Sequence, residues 1–266
     1  MIIIGELLNS TREIIKEKLK TKDVDYITQL ACQQEEQGAD FIDINAGEFS
    51  EKETEYLSWM IEKITPEINI PLSIDSSDPE VIISILENYD QEFLVNSISA
   101  ETERYEKLVP VIKKYNNDVI ALCMDDSGAI PQKPKDKIEV AEKLIDKLLA
   151  DNIKPEKIYI DPLLQPVSVQ PKAALNTIKA IEKISNFNKD INIICGLSNV
   201  SFGLPKRKLL NQSFLIMALS HGLNSVIVDP LDEYLMALLK ASQVLTGEDN
   251  YGMEYLKALR ADKLEV

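Results

Sequence analysis

Seven apolar, β-branched stretches of this 266-residue chain break off into carboxylates, carboxamides or hydroxyls. The polar ends are Glu6 and Asn9; Asp43 and Asn45; Asp75, Ser76 and Ser77; Asn96 and Ser97; Asp161; Ser198 and Asn199; and Asp229. Asp75 and Asp161 supply acceptors, Asn96 and Asn199 supply a donor and an acceptor each, and no strand-end lysine or arginine joins them. That set suits a neutral heterocycle rich in N–H and C=O groups, not a phosphate or a simple anion. A carboxylate takes two N–H bonds from a 2-amino-pyrimidinone edge such as a pterin carries, and an amide serves the carbonyl side. Each charge-assisted bond shielded from water contributes about 1.5–3 kcal/mol. Capping and turn formation compete for the same residue types. Asp78 and Ser50 fit those plainer roles, while Glu6 and Asp229 stand open between the two. Asp75, Asn96 and Asp161 each close an apolar strand away from any helix start, which favours a site.

Bringing these side chains together takes eight strands, read at 1–5, 41–45, 71–75, 93–97, 118–124, 157–161, 193–197 and 224–229. Helices are expected between them, at 23–37 (closed by Gly38), 51–64, 79–88, 101–115, 136–151 and 172–185. Another starts near Lys206 with Leu209, Leu210, Phe214, Leu215, Met217, Ala218 and Leu219 at helical spacing, and two more cover 231–245 and 251–262. Before Lys206, the segment 193–197 stops in the polar turn Ser198-Asn199-Val200-Ser201, where Gly196 allows a close approach of ligand or backbone. Eight alternating units in a chain near the roughly 250 residues usual for the fold predict a (β/α)8 TIM barrel of the α/β class, one domain over 1–266. A doubly wound sheet would carry a glycine-rich phosphate turn after its first strand, and Gly5-Glu6-Leu7-Leu8-Asn9 is not one. In the barrel, all seven polar ends converge on one rim.

Composition narrows the partners. A formal charge of −15 argues against nucleic acid. No apolar run reaches membrane-span length, and Met1-Ile2-Ile3-Ile4 meets Gly5 and Glu6 too soon for a signal peptide. Cys32, Cys123 and Cys195 are odd in number and far apart, which suggests reduced thiols in a cytoplasmic protein. Cys195 reads as core. The single histidine, His221, precedes Gly222 at a helix C-terminus, where it meets the dipole, so no bound metal is expected.

These segments resemble the pterin-binding methyltransferases: methyltetrahydrofolate:corrinoid protein methyltransferases and the folate domain of cobalamin-dependent methionine synthase, with dihydropteroate synthase more distant. The resemblance runs through Ile3-Ile4-Gly5-Glu6 with Asn9, Gln34 to Asn45, Leu72-Ser73-Ile74-Asp75-Ser76, Val95-Asn96-Ser97, Tyr159-Ile160-Asp161-Pro162-Leu163 and Gly196-Leu197-Ser198-Asn199-Val200-Ser201. It implies that Asp75, Asn96 and Asp161 hold the pterin edge, with Gly196 and Ser198 beside it, and that Asn199 lies near N5 as the catalytic residue. Glu6, Asn9, Asp43, Asn45, Ser97, Phe202 and Arg207 are further candidates. It also implies 5-methyltetrahydrofolate or tetrahydrofolate as substrate or product, cobalamin carried on a separate corrinoid protein, and a homodimer. Leu7 and Phe202 depart from members serving the corrinoid iron–sulfur protein, which leaves the corrinoid partner open. A dihydropteroate synthase-like enzyme and a non-catalytic folate-binding subunit are the alternatives. The first would carry a Ser-Arg-Lys cluster where this chain has Ser198-Asn199-Val200.

Overall fold

Strands that are apolar on both faces need helices outside and a filled interior. The computed structural model, which describes residues 1–264, has that arrangement. The strands are β1 (Ile2–Asn9), β2 (Phe41–Asn45), β3 (Leu72–Asp75), β4 (Phe93–Ser99), β5 (Asp118–Leu122), β6 (Ile158–Asp161), β7 (Asn192–Gly196) and β8 (Ser225–Val228). All neighbours pair in parallel and β8 closes on β1, so the sheet is a closed barrel with no edge. Around it lie α1 (Glu13–Lys20), α2 (Val24–Glu36), α3 (Glu53–Ile64), α4 (Pro79–Asn88), α5 (Thr102–Tyr115), α6 (Pro134–Ala150), α7 (Ala173–Ile184), α8 (Arg207–Leu219), α9 (Glu233–Thr246) and α10 (Met253–Arg260).

Several element ends shift by about two residues from the sequence reading, and the stretch from β1 to α3 differs most. The first strand runs on to Asn9, because Leu7 and Leu8 are buried as well. Residues 11–22 have too high a charge density to show a helix by eye, yet α1 forms and buries Ile15 and Leu19 against the barrel. The helix expected from residue 51 starts at Glu53, after a 3-10 turn over Gly47–Lys52 in which Ser50 takes a φ of 48°. Asp78 caps α4 through Glu80 N, as its plainer role required. His221 Nδ1 meets the Met217 carbonyl at 2.7 Å, at the C-terminal end of α8.

Strand periodicity sorts the interior into layers. Ile4, Leu94, Ile120, Tyr159 and Ile194, with Ile2, Phe41, Leu122 and Ile227 against them, form an apolar plug separate from the main core. Two residues further along the same strand faces come Glu6, Asp43, Asn96, Asp161, Gly196 and Asp229. Polarity therefore begins one layer above the plug, toward the C-terminal rim. Register places Asn9, Asn45, Asp75 and Asn96 in one row across four adjacent strands.

Candidate functional site

A cavity of about 640 Å³ opens at that rim, within the roughly 300–1,000 Å³ usual for small-molecule sites. Glu6, Asn9, Asp43, Asp75, Asn96, Gly196, Ser198, Asn199 and Arg207 all line it. Asn45, Ser97, Asp161 and Phe202 do not line it, and each has a visible reason.

Asn45 stands behind Asp75, donating Nδ2 to its Oδ2 at 3.0 Å while Asn45 Oδ1 accepts the Ser10 hydroxyl. Ser97 is buried, and its carbonyl accepts Arg104 Nε at 2.9 Å. Phe202 is 64% exposed outside the cavity, with the Arg207 guanidinium 6.0 Å from its ring centre. Asp161 closes β6, buried, with Oδ1 accepting Leu163 N–H at 2.7 Å.

On the β2–β4 side the carboxylates crowd. Asp43 Oδ1 accepts the Ser73 hydroxyl at 2.6 Å and Asn96 Nδ2 at 3.1 Å. Burial pushes the Asp43 carboxyl up, opposed by those two bonds. Burial, followed by the charge of Asp43, pushes Asp75 up, and the Asn45 bond opposes it. Across the cavity, burial pushes Glu6 up to about 7; Asp229 raises it further, while Arg12, the Ser198 hydroxyl at 3.4 Å and Arg207 pull it down. A carboxyl poised there exchanges protons at neutral pH.

The β7 side is built from a turn. Residues Leu197–Ser201 form a 3-10 segment directly after the strand. Arg207, opening α8, ties it down: Nη2 donates to Ser198 O at 2.8 Å and Nε to Ser201 Oγ at 3.1 Å. A side chain on Gly196 would place its Cβ 3.0 Å from Asn199 Nδ2. The missing side chain thus leaves room for the Asn199 carboxamide to lie over the end of β7.

Sequence reasoning missed several residues here. Arg12, Lys208, Asn211 and Asp232 also line the cavity. Lys208 pairs with Asp232 at 3.2 Å, and Asn211 Oδ1 is enclosed with no partner among the described residues. Arg207 and Asn211 sit four apart on α8, a polar stripe that periodicity could have exposed. Arg104 holds the carbonyls of Ser76, Ser77 and Ser97 together. Its signal was a cation in the first turn of a helix, against the dipole preference. Among the described residues no three His, Cys, Asp or Glu side chains gather as a metal site.

A closed (β/α)8 barrel whose rim displays paired carboxylates and amides offers the hydrogen-bonding groups that a polar planar heterocycle needs. A family model described as pterin binding enzyme matches residues 5–229, and the chain belongs to that family. It is 35% identical to the methylcorrinoid:tetrahydrofolate methyltransferase of Eubacterium limosum, across 99% of this chain and 98% of that protein. It is 25% identical to methionine synthase of Mycobacterium tuberculosis over 86% of this chain, which corresponds to 20% of that longer protein. Among solved structures, dihydropteroate synthase from Xanthomonas albilineans with 7,8-dihydropteroate superposes with a TM-score of 0.68, at 16% identity over 91% of this chain and 93% of that one. That likeness is one of fold.

Proposed function

We propose that the protein is a methyltransferase moving a methyl group between the cobalt of a corrinoid protein and N5 of tetrahydrofolate. The observation that carries this reading is the meeting, in one cavity, of Asp75 and Asn96 with the Asn199 carboxamide over Gly196. Full-length similarity to the Eubacterium limosum enzyme supports it, and that enzyme's name gives the direction we adopt, from methylcorrinoid to folate.

Asp75 and Asn96 in the cavity wall hold the pterin edge, oriented by Asn45 and Asp43, and Asp161, buried at the end of β6 behind the cavity lining, joins them when the ring is seated. The ring then presents N5 to Asn199. Methyl transfer to N5 leaves that nitrogen protonated, and the proton must go to a base. Glu6, beside Ser198 and with a pKa of about 7, accepts it through water and returns it when the reaction runs backward. Asn199 hydrogen-bonds N5 without itself titrating, so its contribution grows as charge develops on the nitrogen. Arg12, Arg207 and Lys208 at the same cavity meet the anionic glutamate tail of folate.

The corrinoid is a substrate carried on a separate protein and reaches N5 from the open rim. A homodimer in a cytoplasmic setting completes the reading, with the whole barrel as one pterin-binding domain. The dihydropteroate synthase alternative has only the fold in its favour, since the turn at 198–200 holds no basic cluster. Mixing the protein with methyltetrahydrofolate and Co(I) cobalamin and following the cobalt spectrum tests the reaction in its reverse sense. Folate binding without methylcobalamin formation would leave only the carrier role.

A further inference from the structure

Lys137 lies on α6, 2% exposed, and forms no ion pair among the described residues. Its Nζ donates to the carbonyls of Pro162 at 2.6 Å and Leu163 at 2.7 Å. A buried ammonium costs several kcal/mol unless its donors are satisfied, and a methionine would fill the same space without that cost. Leu163 holds a left-handed φ of 60°, a conformation that disfavours any side chain. The two bonds from Lys137 fix this turn, and the turn aims Leu163 N–H at Asp161 Oδ1. No other hydrogen bond reaches the Asp161 carboxylate among the described residues.

We propose that Lys137 is a positioning residue for pterin recognition. It locks the Pro162–Leu163 turn, so that one oxygen of Asp161 is clamped by backbone and the other is left without a hydrogen-bond partner among the described residues. This rests on the reading above that Asp161 contacts the pterin. Lys137 also supplies the one positive charge facing Asp161 there; the other titratable groups packed at that point are the thiols of Cys123, after β5, and Cys195, on β7. Burial pushes Asp161 up to about 6, with the Leu163 bond and Lys137 opposing. Removing the cation raises the carboxyl further.

A double-mutant cycle with Lys137→Met and Asp161→Asn separates this role from simple packing. Each single variant is expected to raise the tetrahydrofolate Kd about tenfold or more, and the double variant no more than about twofold beyond Asp161→Asn. In Lys137→Met the methyl-transfer rate at saturating folate stays within about threefold of wild type. The pH below which folate affinity falls, near 6 in wild type, moves upward in that variant. Additive losses in the double variant, an unchanged Kd in Lys137→Met, or rate and affinity falling together with no shift in pH each overturn the proposal. Where Lys137→Met does not fold, Lys137→Gln keeps an N–H donor group and removes the charge, and the same outcomes apply. Should Asp161→Asn bind folate as wild type does, it is the Asp161 reading that fails, with Lys137 left as a structural clamp.

Discussion

The two walls of the cavity are built by different means. On the β2–β4 wall, Asp43, Asp75 and Asn96 project from strands in fixed register, and burial, followed by the charge of Asp43, raises the Asp75 carboxyl. On the β7 wall, Asn199 rides on a 3-10 turn whose place depends on Arg207 and on the bare Cα of Gly196. Strands give precision but little freedom of placement. A turn can carry a group over the ligand at the cost of needing outside support. The contrast fits a division of labour, with affinity on the strand wall and rate on the turn.

Breaking the turn wall should give the largest effect. Asn199→Ala is expected to slow methyl transfer by about 10²–10³-fold, the usual cost of one preorganised hydrogen-bonding group. Its folate Kd should stay within about threefold, as titration calorimetry would read. Equal losses in both would erase the division. Breaking the strand wall comes next: Asp75→Ala should weaken folate binding by about 100-fold, corresponding to two hydrogen bonds of roughly 1.5 kcal/mol each. A wild-type Kd there would remove the pterin edge from this wall.

Gly196→Ala sharpens the comparison, because the added methyl must displace the Asn199 carboxamide from 3.0 Å. We expect a rate about tenfold lower at saturating folate with little change in Kd, in stopped-flow measurements. Phe202→Ala, outside the cavity, should alter either quantity by less than about threefold.

The crowded carboxyls also leave a mark on stability, smaller still. Glu6 is raised in the folded protein from 4.5 to about 7, so the fold retains a proton that the unfolded chain releases. Its contribution is full below pH 4.5 and drains away as pH climbs through about 7. Glu6→Gln should therefore gain on wild type between pH 5 and pH 8, by a few degrees in Tm of the ligand-free protein. A constant difference across that range would mean the carboxyl is not held in its protonated form.

Much of this was legible before folding. Strands such as Phe41-Ile42-Asp43-Ile44-Asn45 announce themselves by apolar runs ending in polar residues, and eight of them in alternation with helices define the barrel. Asp75, Asn96 and Asp161 could be picked out because a strand end with no cap to make has little other use for such a side chain, whereas the role of Asn199 came from the resemblance. The β1–α1 connection was harder. In residues 11–22 the apolar positions are few, and the helix owes its place to Ile15 and Leu19 meeting a barrel formed elsewhere.

Sequence alone therefore determined the fold and the row of groups at its rim, since apolar runs, their lengths and the polar residues that end them are local properties of the chain. Tertiary structure decided which of those groups share the cavity. Asn45 on β2 and Asn96 on β4, either side of β3, look alike in sequence, yet Asn96 lines the site and Asn45 braces Asp75 from behind. It also decided what surrounds each carboxyl. Arg104, Arg207 and Lys137 act on residues 6 to 28 positions away, and such separations carry no periodic signal. Charge and solvation are set by what packs together in space, and only the closed barrel fixes that.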